Sequence, residues 1–465
     1  MNAPMIWILI PFVVGFVILF FLHSRFSPLV GGAVSMALAF IAFIFPIDTA
    51  LLLGSISIKI SSSIQFFGRS FSLNAADSPL IVIIYGLAAL WFFGTEASGS
   101  ANRFVALGLM IVALLTASIA VEPFLFAALL LDMAAMLVIP LLVPVYQKPG
   151  RGVVRFLIYQ TLAMPFILFS GWLLAGVEAS PGAIDVTVQA GTILGLGFAF
   201  LLGIFPLYNW IPMLMEEASP YVTGFLLWVL PTFTVIFALG FLDRYTWLRT
   251  SPQLSSTLQF AGALMVASGG LFASQQKHIG RIMGYAAIAE TGLFVLAMGL
   301  NSSEIVNITF LLLIPRGLEL SVWALALSII KRKAYSLRFS EVQGMARSHP
   351  VTVAALILAH LSMTGFPLLA GFPPRLALWQ ELARQSPVIL FWVFVGLAGL
   401  LIAVNRTLAV FVMAEKDTAW KLSESWVQVT MLGLGVVGLF ILGIFPQILQ
   451  PFIVNLPALF NHLGQ

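Results

Sequence analysis

The chain has 465 residues, 60% of them hydrophobic and 9% charged, with no cysteine and a formal net charge of +4. A soluble domain carries about 25% charged residues, so this composition excludes a soluble globular protein and points to a polytopic membrane protein. Without cysteine the chain forms no disulfide, runs no thiol chemistry and ligates no iron–sulfur cluster through sulfur, and its five histidines show no metal-ligand spacing.

Apolar windows long enough to cross ~30 Å of hydrocarbon occur near 5–22, 28–45, 79–94, 104–121, 124–145, 153–176, 187–206, 221–242, 254–274, 282–300, 305–330, 351–372, 388–413 and 427–447. They predict an all-α membrane protein with about fourteen transmembrane helices, numbered one to fourteen below. The first window lacks a basic n-region and a small-residue cleavage site, so it is expected to remain a helix. Between helices two and three, "SISIKISSSIQFFGRSFSL" places Ile56, Ile58 and Ile60 at period two. That pattern predicts a short strand or hairpin over 55–73, or else an irregular loop.

Loops after odd-numbered helices hold most of the basic residues, including Lys148, Arg151, Lys277, Arg281, Lys331, Arg332 and Lys333. Loops after even-numbered helices hold Lys59, Arg69, Arg244, Arg249 and Arg384. The positive-inside rule then puts both termini outside a bacterial cytoplasmic membrane.

Two windows are interrupted deep in apolar sequence. One is "LLGIFPLYNWIPMLMEEASP" (Leu201–Pro220), with Gly203, Pro206 and Pro212; the other is "TGFPLLAGFPPR" (Thr364–Arg375), with Gly365, Pro367, Gly371 and Pro374. Pro231 in helix eight is a further expected break, and "LGIFP" recurs at 442–446. Interrupted helices at matching positions of two halves point to inverted repeats. Helices 4–8 and 9–13 form the two units, with seven and twelve as their broken members. The implied division is 1–100 (helices one to three), 101–245 (first unit), 250–415 (second unit) and 425–465 (helix fourteen).

Three stretches carry a resemblance: "GIFPLYNWIPMLMEEASPYVTGFL", "SQQKHIGRIMGYAAIAETG" (Ser274–Gly292) and "LSMTGFPLLAGFPPR" (Leu361–Arg375). In order and placement they resemble the signatures of the proton-antiporter-like membrane subunits of NADH–quinone oxidoreductase (respiratory complex I). Relatives of these subunits serve in hydrogenases and in multisubunit sodium/proton antiporters. "VTGFLLWVLPT" after the first break is closer to the quinone-proximal N-type than to the L or M types. The resemblance implies proton conduction in each five-helix unit: a helix-five glutamate pairs with a helix-seven lysine, a helix-eight lysine lies between half-channels, and a second set lies on helices ten to twelve.

This chain departs from that pattern. The helix-five glutamate falls on Asp132, the helix-seven lysine on Leu201, the helix-eight lysine on Thr232 and the "PLHxW" histidine on Tyr208. In the second unit the helix-ten position falls on Glu290, the helix-eleven lysine on Glu319 with Arg316 one turn before it, and the terminal lysine on Arg375. The first break is thus expected to persist as architecture after its cation has gone. Asp132 is a relay acid or a structural remnant. Arg316 and Glu319 are an intrahelical pair that lowers insertion cost, or Glu319 and Glu290 form a titratable axis. Arginine stays protonated, so Arg316 and Arg375 tune acids rather than release protons. Glu216 and Glu217 read as membrane-surface residues, His360 and Tyr285 as bridges to water or simply hydrogen-bonded groups, and Lys331–Lys333 as an inner-face cap.

The resemblance implies an integral membrane subunit of a redox-driven ion-pumping assembly, with other membrane subunits and the lipid bilayer as partners and no nucleic acid. No cofactor or metal is expected in this chain. Quinone and NADH, or another donor, belong to the assembly. A non-conducting scaffold subunit and a component of a sodium/proton antiporter are the alternatives.

Overall fold

A computed structural model describes the whole chain except residues 1, 22–24, 46, 49, 54–55, 67, 101–102, 144–147, 180–183, 301–303, 414–419 and 464–465. It is built from helices: among the described residues twelve are long and apolar enough to cross a membrane, and two shorter apolar ones, Met5–Phe21 and Pro350–Met363, accompany them. In chain order the first six are Ile10–Phe21, Ser27–Ile44, Ser78–Phe93, Arg103–Ala120, Ala127–Leu142 and Arg151–Ala179. Helix seven is Ile184–Leu202 continued by Trp210–Glu217. Helices eight to eleven are Pro220–Arg244, Pro252–Gln275, Ile279–Met298 and Ile305–Lys333. Helix twelve is Pro350–Met363 continued by Phe372–Gln385, and Pro387–Val412 and Trp426–Ile444 complete the series.

Proline stands in the first turn of helices two, three, eight, nine, twelve and thirteen, where its missing N–H has no helical acceptor to serve. Helix fourteen opens on a capping box, with Ser425 accepting from the Gln428 amide and Gln428 accepting from the Ser425 amide. Helices four, eight, ten and eleven are almost wholly buried, whereas the outward faces of one, two, six and thirteen expose large apolar side chains such as Phe20, Phe40, Trp172 and Phe391. Buried charge is confined to inner faces, as the cost of placing it in hydrocarbon demands.

The two ends of the bundle are distinct. At one, β1 (Ala50–Leu53) pairs antiparallel with β2 (Ile56–Lys59), with Leu51 opposite Ile58. There β4 (Arg69–Ser72) pairs with β3 (Ser63–Phe66) and with β5 (Val121–Glu122), which lies after helix four. Extended structure thus begins earlier than residue 55 and recruits a second loop. At this end Asp243, in the last turn of helix eight, accepts from the amides of Asn461, His462 and Leu463. At the other end Glu217 Oε2 accepts from the Gly152 amide at the start of helix six, 2.8 Å away, and Lys331 Nζ donates to the Ala218 carbonyl at the end of helix seven, 2.8 Å away. Loops after even helices gather at one end and loops after odd helices at the other.

Two expectations are corrected. Helix eight runs through Pro231 without a break. Pro212 and Pro374 lie in the first turns of the second halves of helices seven and twelve, so they start helices instead of breaking them. The second "LGIFP", like the first, stands at a helix end, and a Cβ on its Gly443 would strike the Leu368 backbone at the break in helix twelve.

Candidate functional site

The break in helix seven follows from local chemistry. Gly203 takes φ +60°, a conformation that costs a side-chain-bearing residue but not glycine. Pro206 supplies no amide, and a single 3₁₀ turn over Leu207–Asn209 leads into Trp210. The Tyr208 hydroxyl reaches across to Ser268 Oγ on helix nine, 2.9 Å away. The break in helix twelve is closed similarly: Gly365 at φ +77° ends the first half, Leu368 at φ 72° turns the loop, and the Gly371 amide donates to Ser362 Oγ at 3.0 Å.

In the first unit, Asp132 is buried, with Oδ1 unpartnered and the Thr161 side chain as its hydrogen-bond partner. No described ion pair includes it. Leu201 is buried, and its carbonyl accepts from Gln160 Nε2 at 3.2 Å. Thr232 turns its hydroxyl back to the Trp228 carbonyl at 2.7 Å. At the two positions where the resemblance puts lysines there is therefore no exchangeable charge.

The second unit is different. Glu290 on helix ten, Glu319 on helix eleven and Arg375 on the second half of helix twelve meet in the interior, at 3% or less side-chain exposure. Arg375 Nη2 contacts Glu290 Oε1 directly and lies 3.7 Å from Glu319 Oε2. Arg375 Nη1 donates to the Gly371 carbonyl at 2.6 Å, and Ser362 Oγ donates to Glu319 Oε1 at 2.6 Å. The chain Gly371 N–H, Ser362 O–H, Glu319 therefore ties the helix-twelve break to the helix-eleven acid. One guanidinium bridges two carboxylates, so the cluster carries one net negative charge when both acids are ionised and is neutral after taking up one proton. Such a group can load and release a proton if water reaches it.

His360, on the first half of helix twelve, is fully buried with both ring nitrogens unpartnered, and its ring stacks on Trp323 at 4.2 Å between centroids. Arg316 does not pair with Glu319. Its Nη2 donates to the Leu227 carbonyl on helix eight at 2.8 Å and to Thr291 Oγ1 on helix ten at 3.0 Å. The helix supplies the reason: Pro231 has no amide, so the carbonyl four residues earlier, Leu227, has no helical donor. Glu216 pairs with Arg281 at 2.7 Å, both partly exposed. Tyr285 is half-buried, with its ring against Phe272.

Sequence reasoning missed Ser362, Thr291 and Gln160. Each is a small or neutral polar residue on an apolar helix, a pattern that also fits a hydroxyl or amide satisfied within its own helix. Only their contacts to another helix distinguish them. Among the described residues no three His, Cys, Asp or Glu side chains gather as a metal site would require.

Residues 181–403 match the family described as NADH:quinone oxidoreductase/Mrp antiporter, TM. Subunit N of NADH-quinone oxidoreductase from Dehalococcoides mccartyi is 27% identical over 316 residues, which span 63% of each chain. Subunit 14 of NADH-quinone oxidoreductase from Thermus thermophilus is 26% identical over 439 residues, covering 90% of this chain and 96% of that one. Among solved structures, a chain of respiratory complex I from Thermus thermophilus superposes with a TM-score of 0.78 at 18% identity, over 98% of this chain and 99% of that one. A chain of the Mrp complex from a Dietzia species superposes with a TM-score of 0.77 at 17% identity, over 98% of this chain and 52% of that one. The fold is that of these chains of respiratory complex I and the Mrp complex.

Proposed function

We propose that this chain, a homologue of subunit N of NADH-quinone oxidoreductase, is an integral membrane subunit of a complex I-like, redox-driven assembly. In this reading it contributes to proton translocation mainly through its second unit. Electrons move in partner subunits that hold the quinone and donor sites. The observation that carries the reading is the cluster of Glu290, Arg375 and Glu319, two acids around one fixed cation at the break of helix twelve. A carboxylate beside a permanent positive charge stays ionised in low dielectric, and an arriving proton then neutralises it. The first unit keeps Asp132 without a cationic partner and is marginal. Both termini lie outside the cytoplasmic membrane, since the basic loops after odd helices gather at one end.

The test begins with purification from native membranes and identification of the subunits that copurify. Small antiporter subunits without an electron-transfer arm would replace this reading with the sodium/proton antiporter. The assembly is then reconstituted, and proton transfer per electron is measured for Glu319→Gln, Glu290→Gln and Asp132→Asn. Loss in the two glutamine variants with near-normal transfer in the asparagine variant is expected. Near-normal transfer in all three would leave a scaffold subunit.

A further inference from the structure

Arg316 forms no direct ion pair with that cluster among the described residues, and its surroundings are unusual. It is 0% exposed, it takes part in no described ion pair, and Nε and Nη1 have no partner. Its third nitrogen, Nη2, is held between the two units: Leu227 belongs to helix eight of the first, Thr291 to helix ten of the second. The Phe294 ring lies 5.3 Å from the guanidinium carbon. Trp228 Nε1 is also unpartnered, and it sits against Gly317, where a Cβ would come within 2.8 Å of it. Arg316 Nε and Nη1 and Trp228 Nε1, the unpartnered atoms of these two side chains, are all donors.

We propose that Arg316 is a fixed-charge stop between the two units, which keeps protons of the second unit from crossing to Asp132 in the first. The inference rests on the reading that the second unit conducts. Proton transfer along water needs each member to accept on one side and donate on the other. A guanidinium has five N–H donors and no acceptor, and a water bound to Nε or Nη1 must turn its oxygen inward and its hydrogens away. A water chain reaching Arg316 from either unit therefore meets a donor-only end. The permanent charge also repels an excess proton, and repulsion is strong where water is scarce. Pro231 makes the stop rigid. It frees the Leu227 carbonyl, and that carbonyl holds Nη2 in place.

The complete assembly is reconstituted in sealed liposomes with an internal pH dye and no electron donor, and passive proton conductance is read under a valinomycin–potassium potential. Arg316→Gln should raise conductance by about threefold or more, an order-of-magnitude expectation for removing one buried charge. Adding Asp132→Asn should return it to the parent value. Unchanged conductance in Arg316→Gln overturns the proposal. So does a rise that Asp132→Asn leaves untouched, because a packing leak would ignore the relay acid. If Arg316→Gln fails to assemble, Pro231→Ala restores an amide to the Leu227 carbonyl and loosens the guanidinium. In that variant a rise suppressed by Asp132→Asn supports the stop, and an unchanged conductance overturns it. With no electrons flowing, these outcomes are separate from the pumping test of Glu319, so either reading can fail alone.

Discussion

Ser362 Oγ lies 2.6 Å from Glu319 Oε1, and the same oxygen accepts the Gly371 amide at 3.0 Å. One hydroxyl thus joins the last turn before the break, the loop that forms the break, and the buried acid of helix eleven. Ser362→Ala leaves Glu319 Oε1 and the Gly371 amide without partners, at a cost of about 1–3 kcal/mol for such buried groups. Thermal unfolding of the reconstituted assembly should shift down, and proton transfer per electron should fall. Ser362→Thr keeps the hydroxyl and should retain most of both. A Ser362→Ala variant with parental stability and pumping would show that the contact is idle.

Arg375 has a larger effect in the same cluster. Removing one partner of a buried ion pair costs about 3–5 kcal/mol because the other charge stays unpaired. Arg375→Met strands Glu290 and Glu319 together, so it should sharply lower the amount of assembled complex. Combining it with Glu290→Gln and Glu319→Gln removes both stranded charges and should recover assembly without recovering proton transfer. Equal losses of assembly in the single and the triple variant would show that packing, and not charge, is what Arg375 supplies. The yield of intact complex after solubilisation is the measurement.

How much of this was legible in sequence depends on the length scale of the cause. The breaks near Gly203 and Gly365 were readable because glycine and proline act within a few residues, and both helices stop there. Pro231 misled for the same reason. A proline inside a helix removes one hydrogen bond, but the chain continues when another group takes the orphaned carbonyl, and that group, Arg316, lies 89 residues away. The pairing of Arg316 with Glu319, one of the two readings of these residues, rests on spacing three apart on one helix. Spacing places side chains on a face but does not choose their partners, and Arg375 outcompetes it from another helix. The strand at Val121–Glu122 forms against Ser70 and Phe71, and a partner some fifty residues away is beyond the reach of periodicity.

His278 makes the end of the bundle with the odd-numbered loops sensitive to pH. Its Nδ1 accepts the Arg281 amide at 3.3 Å as the N-cap of helix ten, and burial holds its pKa below the ordinary 6.5. A base whose pKa is lowered by folding contributes fully above the unfolded value, and that contribution is lost as pH falls through the window below 6.5. Protonation turns Nδ1 into a donor and breaks the cap. Hydrogen-exchange protection at the first turn of helix ten should therefore fall on acidification from pH 7 through this window, by an amount equivalent to about 1 kcal/mol, the usual worth of an N-cap. His278→Asn keeps an acceptor that does not titrate and should abolish the pH dependence. Protection that falls equally in both proteins would assign it to another group.

The orientation of the bundle can be fixed with two cysteines, because the chain has none of its own. Tyr335, in the loop after helix eleven, is 99% exposed, and Asn461 lies exposed at the opposite end beside Asp243. If the basic end faces the cytoplasm, a membrane-impermeant thiol reagent added to intact cells made permeable only at the outer membrane should label Asn461→Cys and spare Tyr335→Cys. Inverted vesicles should give the reverse. Labelling of both from one side would contradict the placement of these loops at opposite ends. The reversed pattern would turn the whole bundle over, and the Glu290–Arg375–Glu319 cluster would then load its proton from the other side of the membrane.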